Sequence, residues 1–392
     1  MSGSVFPRVL PYAFVSAAIN LVITMTSRDF FSEMFKHPYA HQVFSISVGF
    51  LLVFRSNLSY QRFWEGRTQV QQMSTKWDDA AMQVVAFEEI SEKADKPQFL
   101  FTIVHLFSLL HAAAIQHLRG DSDLSHLVGT YSDPPEPVKN WLGIVDEEAD
   151  DTRHELRVVG GLSKTEASVL LGTHARVYTI LAWITRGITR RHKCGGLAVP
   201  PPILSRTYQV LSEGMGAFMQ ARKIQDTPFP FPYAQLVCAV LLVFITSAPV
   251  VVAAYVDNVF MSVLLSFVSS AASAALNEVA KEIEDPFGFD PNDLPLKELH
   301  EDYNQRVLYL LAGDTIEQDI FGTLFSSPSG SVTAPSTAPT TGPSPPQPAP
   351  PASVASMSSG PSRQERRRSS GGSGPLPGLE ELERGRKSPT LK

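Results

Sequence analysis

Two uncharged apolar runs in the C-terminal half of this 392-residue chain leave few folds open to it. The first, Ala234 to Val256, reads "AQLVCAVLLVFITSAPVVVAAYV" and has the length a helix needs to cross the hydrocarbon layer. After Asp257 and Asn258 comes the second, Val259 to Leu276, "VFMSVLLSFVSSAASAAL". Spans joined by so short a polar link predict a tight helical hairpin, with Pro249 bending its first arm. Ser and Ala crowd the end of the second arm, small residues that let backbones approach closely in lipid. Near the N-terminus, residues 9–25 form a run short for a span but adequate when tilted, and residues 41–58 form another. The expectation is an all-α, multi-pass integral membrane protein with four transmembrane helices, 9–25, 41–58, 234–256 and 259–276. The overall hydrophobic fraction of 43% hides these runs by averaging them with a polar tail.

Lys and Arg set the orientation. The short loop between the first two spans carries Arg28 and Lys36, whereas the long region between the second and third carries Arg55, Arg62, Arg67, Lys76 and "RRHK", Arg190 to Lys193. The positive-inside rule puts that region in the cytosol, or on the equivalent side of an organelle, and four crossings put both termini there too. Residues 59–233 and 277–325 then form a large cytosolic helical bundle. Phe99 to Leu118 is apolar enough for a fifth span, but His105, His111 and His117 interrupt it, which predicts a core helix of the bundle. Lys164 to Thr189 holds another helical pattern, and the acidic Asp146 to Asp151 reads as a solvated loop. From Ser326 to Lys392, Pro, Ser, Thr and Ala dominate and large apolar residues nearly vanish, so the segment is expected to be a disordered tail. Its "RRRSS", Arg366 to Ser370, suits a phosphorylation or membrane-surface patch, or simply a solubilising tail.

Several function classes fall away. A net charge of −6, with no concentrated basic face in the ordered part, argues against nucleic acid as a partner. The N-terminus lacks the basic segment, short apolar core and cleavage site of a secretory signal. Cys194 and Cys238 have no zinc spacing and form no disulfide framework; they read as a loop thiol and a buried small hydrophobe. No Gly-rich phosphate loop, zinc-binding helix or nucleophile elbow is present, so no enzyme is expected. The three histidines at six-residue spacing turn by about 240° from one to the next on a helix, so they share no face for a metal.

The second apolar segment runs into a polar, arginine-bearing extension, "VFSISVGFLLVFRSNLSYQRFWEGR", Val43 to Arg67. At helical spacing Val43, Ile46, Phe50, Phe54 and Asn57 share one stripe, with Arg55 and Arg62 on the opposite side. Such a stripe suits ordinary core packing. Ser45, Ser47 and Gly49 beside it also suit close packing of like helices about an axis, and several copies so arranged form a ring of Ile and Phe. That ring is a hydrophobic constriction able to shut by dewetting. Phenyl edges carry partial positive charge and tolerate a weakly hydrated anion better than a cation. Arg55 and Arg62 are expected to make structural ion pairs with Glu278, Glu282 and Glu284 after the last span. Beyond these, the acidic turn holding Asp290 and Asp293 suits either a hard cation such as calcium or ordinary turn and cap chemistry.

Three ordered blocks, "GFLLVFRSNLSYQRFWEGR", "DTPFPFPYAQL" (Asp226 to Leu236) and "EIEDPFGFDPNDLPL" (Glu282 to Leu296), resemble the signature regions of the bestrophin family, nearest its plant, algal and bacterial branch. The resemblance covers about residues 5–320 and makes 1–325 a channel domain. It implies a homopentamer around one central pore, passing chloride and often bicarbonate. It puts the family's neck on Ile46, Phe50 and Phe54, and a lower aperture near Pro202 or Ile203. It implies a calcium site in which Asp290 and Asp293 supply side chains and Glu282 and Asp285 supply carbonyls, although the run of consecutive acids found in calcium-controlled members is missing. A thylakoid or a plasma membrane suits such a chain. The rival expectation is a non-conducting membrane scaffold whose tail recruits partners.

Overall fold

The computed structural model describes residues 3–35, 37–129 and 154–311. Asp146 to Asp151 and everything from residue 312 onward, including Ser326 to Lys392 with its "RRRSS", lie outside the described residues. The chain is built mainly of helices: α1 Phe6–Thr26, α2 Arg28–Met34, α3 Tyr39–Glu89, α4 Lys96–Leu118, α5 Lys164–Leu171, α6 Arg176–Lys193, α7 Pro201–Asp226, α8 Phe231–Tyr255, α9 Val259–Ile283 and α10 Leu296–Tyr309. A parallel pair of three-residue strands, β1 Leu127–Gly129 and β2 Leu156–Val158, is the exception to an all-helical expectation.

One end of the molecule is a bundle of α1, the first half of α3, α8 and α9. Its small core joins Val9, Val48, Leu52, Val237, Leu241, Phe244 and Ala274. Polar side chains clamp α1 to the hairpin. Ser270 donates to Ser16 at 2.6 Å and Ser262 donates to Asn20 Oδ1 at 3.0 Å. These buried hydroxyls find partners on the neighbouring helix, as apolar surroundings demand. α8 runs through Pro249, and the Asn20 amide donates to the Pro249 carbonyl at 2.9 Å, tying α1 to α8 at that point. Asn258 caps α9, its side chain accepting from the Met261 N–H at 3.1 Å, and so the short link turns tightly.

The helices extend beyond the apolar runs within them. α1 begins at Phe6, with Pro7 in its first turn. α9 runs on past the apolar stretch to Ile283, carrying Glu278 and Glu282 on helical backbone. α2 is an extra short helix, and Arg28 at its start pairs with Asp257 between α8 and α9. Cys238 is exposed on α8, not a buried small hydrophobe, and Cys194 is exposed as well.

The larger core gathers around α4. Of its most apolar stretch 78% is buried, against 22% for α1, so protein sheathes this helix on nearly every side. Phe107, Leu109, Leu110 and Ile115 meet residues of α3, α6, α7 and α10, including Trp77, Ile184, Phe218 and Val307. The three histidines of α4 go separate ways. His105 pairs with Glu166 at 3.0 Å, His111 meets Ser74 and His300 at 2.7 and 2.9 Å, and His117 packs edge-on to Phe218. Two glycines allow close approach. A Cβ at Gly214 of α7 would fall 2.5 Å from the Trp77 ring, and one at Gly66 of α3 would fall 3.0 Å from Phe287.

Candidate functional site

α3 is one unbroken helix of 51 residues, and its two sides have opposite fates. Val48, Leu52, Arg55 and Ser59 are buried against the bundle. Ile46, Phe50 and Phe54 face away from it, at 73%, 69% and 44% exposure, with Val43 and Asn57 exposed on the same face. The stripe is therefore no part of this chain's own core. Phe50 and Phe54 lie ring on ring, centroids 6.3 Å apart and planes 15° from parallel. Tyr233, from the first turn of α8, meets Phe54 edge to face at 6.1 Å and donates its hydroxyl to the Leu51 carbonyl at 3.3 Å. The proline-spaced aromatics of "DTPFPFPYAQL" thus brace the lower phenylalanine, a role the sequence reading left unassigned.

Behind the stripe, two arginines bolt three helices together. Arg55 is 1% exposed; it donates to Asn277 at 2.7 Å and to Glu284 at 3.0 Å, and its guanidinium lies 5.4 Å above the Phe229 ring. A buried cation is tolerable only when paired and hydrogen-bonded, and this one is both. Arg62 differs from expectation, because among the described residues it reaches carbonyls and no carboxylate. It donates to Ile224, Thr227 and Glu284 backbone oxygens at 3.0, 2.9 and 3.0 Å. Two of those acceptors sit at the C-terminal end of α7, where carbonyls lack helical partners and the helix dipole favours a cation. Glu278 and Glu282 meet neither arginine. Glu278 binds Lys281 at 2.7 Å, and Glu282 is taken by Arg8 and, at 3.3 Å, by Asn292.

The other sites fall as follows. Pro202 and Ile203 are exposed in the first turn of α7. In the acidic turn the Asp293 carboxylate accepts from the Asp290 N–H at 2.7 Å. Burial pushes Asp293 up to about 6, the Asp290 N–H opposes this, and the charges of Asp290 and Asp285 add to the rise. A desolvated carboxylate beside two further acids is a donor set that fits a hard cation such as calcium.

The bestrophin blocks now sit in one frame: "GFLLVFRSNLSYQRFWEGR" on α3, "DTPFPFPYAQL" against its stripe, and "EIEDPFGFDPNDLPL" docked through Phe287 on Gly66. Residues 1–309 match the family described as Bacterial/Fungal Bestrophin protein. The chain belongs to the bestrophin family. A voltage-dependent anion channel-forming protein of Synechocystis is 26% identical over 304 residues, covering 76% of this chain and 85% of that one. A like-named protein of Nostoc is 24% identical over 311 residues, covering 75% and 82%. A point variant of a bacterial bestrophin homologue from Klebsiella pneumoniae shares the fold, with a TM-score of 0.62 at 17% identity, covering 77% of this chain and 98% of that one. Bestrophins are anion channels of the membrane and not a class of enzyme, and this chain is an integral membrane protein of that family.

Proposed function

We propose that the chain assembles as a homopentamer around one central pore and conducts anions passively, chloride or bicarbonate, through a neck of Ile46, Phe50 and Phe54. One observation carries this reading: the three side chains are exposed on a helix whose opposite side is buried, and the same exposed face continues without a break into Asn57, Gln61, Trp64 and Thr68. Lipid covers a uniformly apolar face well. A face that turns from apolar to polar along one unbroken helix suits a watered passage with one dry constriction. The Synechocystis and Nostoc relatives, named as anion channel-forming proteins, support the reading.

In this account α1, the first half of α3, α8 and α9 cross the bilayer, while α4 stays inside the cytosolic or stromal bundle together with both termini. Arg55 and Arg62 hold the helix that bears the neck and do not bind the ion. Pro202 and Ile203 narrow the lower mouth. Calcium, held by the side chains of Asp290 and Asp293 with the carbonyls of Glu282 and Asp285, would supply positive charge that ties this turn together. The purified chain in liposomes, with chloride and bicarbonate compared and calcium varied, tests the proposal. Anion flux from a particle of pentameric mass is expected. A folded pentamer passing no anion would reject the channel and favour a scaffold.

A further inference from the structure

Far along the chain from the stripe, Asp121, His126 and His154 converge, with one ligand atom from each within 4.8 Å of the other two. Asp121 lies in the turn after α4, His126 directly precedes β1, and His154 lies just ahead of β2. The strands are parallel and pair Leu127 with Leu156, so the chain enters both from the same end and delivers the two histidines side by side. Their rings stack with centroids 5.2 Å apart. Asp121 is aimed at them by its surroundings. Its Oδ1 accepts from the Asp123 N–H at 2.9 Å, and its Oδ2 lies 2.7 Å from His126 Nδ1. Buried Gln116 fixes the turn, donating to the Asp123 carbonyl at 2.5 Å and reaching Asp121 Oδ2 at 3.4 Å.

Two imidazoles and a carboxylate form the three-protein-ligand set that zinc takes while keeping a fourth position open. Imidazole nitrogen favours zinc, copper or nickel over calcium and magnesium, which separates this cluster from the all-oxygen acidic turn. His154 is exposed, so solvent reaches the open side. His154 also packs on Phe289, ring centroids 4.3 Å apart, and Phe289 stands immediately before Asp290 in the acidic turn.

We propose that Asp121, His126 and His154 bind one divalent ion of the zinc class, with water at the fourth position, and that Phe289 carries its occupation to the acidic turn. The test uses the full chain in detergent, stripped with chelator. Zinc titration by calorimetry should show one ion per chain, and cobalt in place of zinc should give the intense visible bands of a tetrahedral site. His126→Gln and His154→Gln should each weaken zinc by about tenfold or more, and the double variant should abolish binding. His37→Gln, an exposed histidine elsewhere, should change nothing. Equal zinc affinity in the double variant, or only the weak bands of six-coordinate cobalt in the unaltered chain, would overturn the site; the cobalt spectrum needs no variant to fold. Zinc should shift the fluorescence of Phe289→Trp, and an unmoved signal with zinc bound would overturn the link to the turn. Intact zinc binding in a chain that passes no anion would reject the channel reading and leave this site standing.

Discussion

Arg55 of α3 and Glu284, the residue just past the end of α9, face each other at 3.0 Å, with the arginine side chain almost wholly out of solvent and the glutamate partly in it. The pair fastens α3, on the side opposite its exposed stripe, to the C-terminal end of α9. Glu284→Gln should leave the arginine buried without a countercharge and lower stability by about 2–4 kcal/mol, since breaking a buried pair costs more than the pair contributes. Thermal unfolding in detergent reads this directly. Arg55→Met, which removes the charge and keeps the bulk, should cost less than Glu284→Gln; the opposite order would show that the charge itself is needed.

Ile46, Phe50 and Phe54 are exposed, so trimming them should not unfold the chain. Replacing all three by alanine is expected to give a folded protein whose conductance rises and no longer closes. Single-channel recording in planar bilayers checks it, and unchanged conductance and gating would count against the neck assignment.

At Gly214 the Trp77 ring leaves no room for a methyl group. Gly214→Ala should force α3 and α7 apart and cost about 1–3 kcal/mol as an overpacked core. Gly216, with open space around its Cα, should accept alanine with little effect. The two melting temperatures, measured side by side, decide it.

The buried His300 gives a pH signature. Burial drives it down to about 4, the Arg157 carbonyl that accepts from Nε2 opposes this, and the Arg119 charge lowers it further. A histidine whose folded value lies below its unfolded value of 6.5 is stabilising above pH 6.5, and that stability is lost as pH falls from 6.5 toward 4. The full difference is on the order of 3 kcal/mol. His300→Gln should flatten the denaturation midpoint against pH across that window. A slope as steep as the wild type's would assign the acid sensitivity elsewhere.

Much of this architecture is legible in the residues because bilayers and helices impose strict periods. Val43, Ile46, Phe50, Phe54 and Asn57 stand out by spacing alone, and they share one exposed face. In the apolar helix α4 two of the histidines that interrupt the pattern find polar partners, His105 in Glu166 and His111 in Ser74 and His300, and 78% of its most apolar stretch is buried by protein. What stays hidden depends on tertiary meeting points. Arg62 binds carbonyls, and every residue type offers a carbonyl, so composition holds no trace of its partners. His126 and His154 show no metal spacing along the chain, because a three-residue parallel ladder, too short to read from pattern, brings them together.

The second long helix has no proline anywhere between Tyr39 and Glu89. At the rise of an α-helix it is a rod about 75 Å long. On the proposed pore, a twist applied where Trp77 packs against Gly214 would travel to Phe50 and Phe54 along one unbroken run of helical hydrogen bonds, and widening the neck would require the helix to move with it.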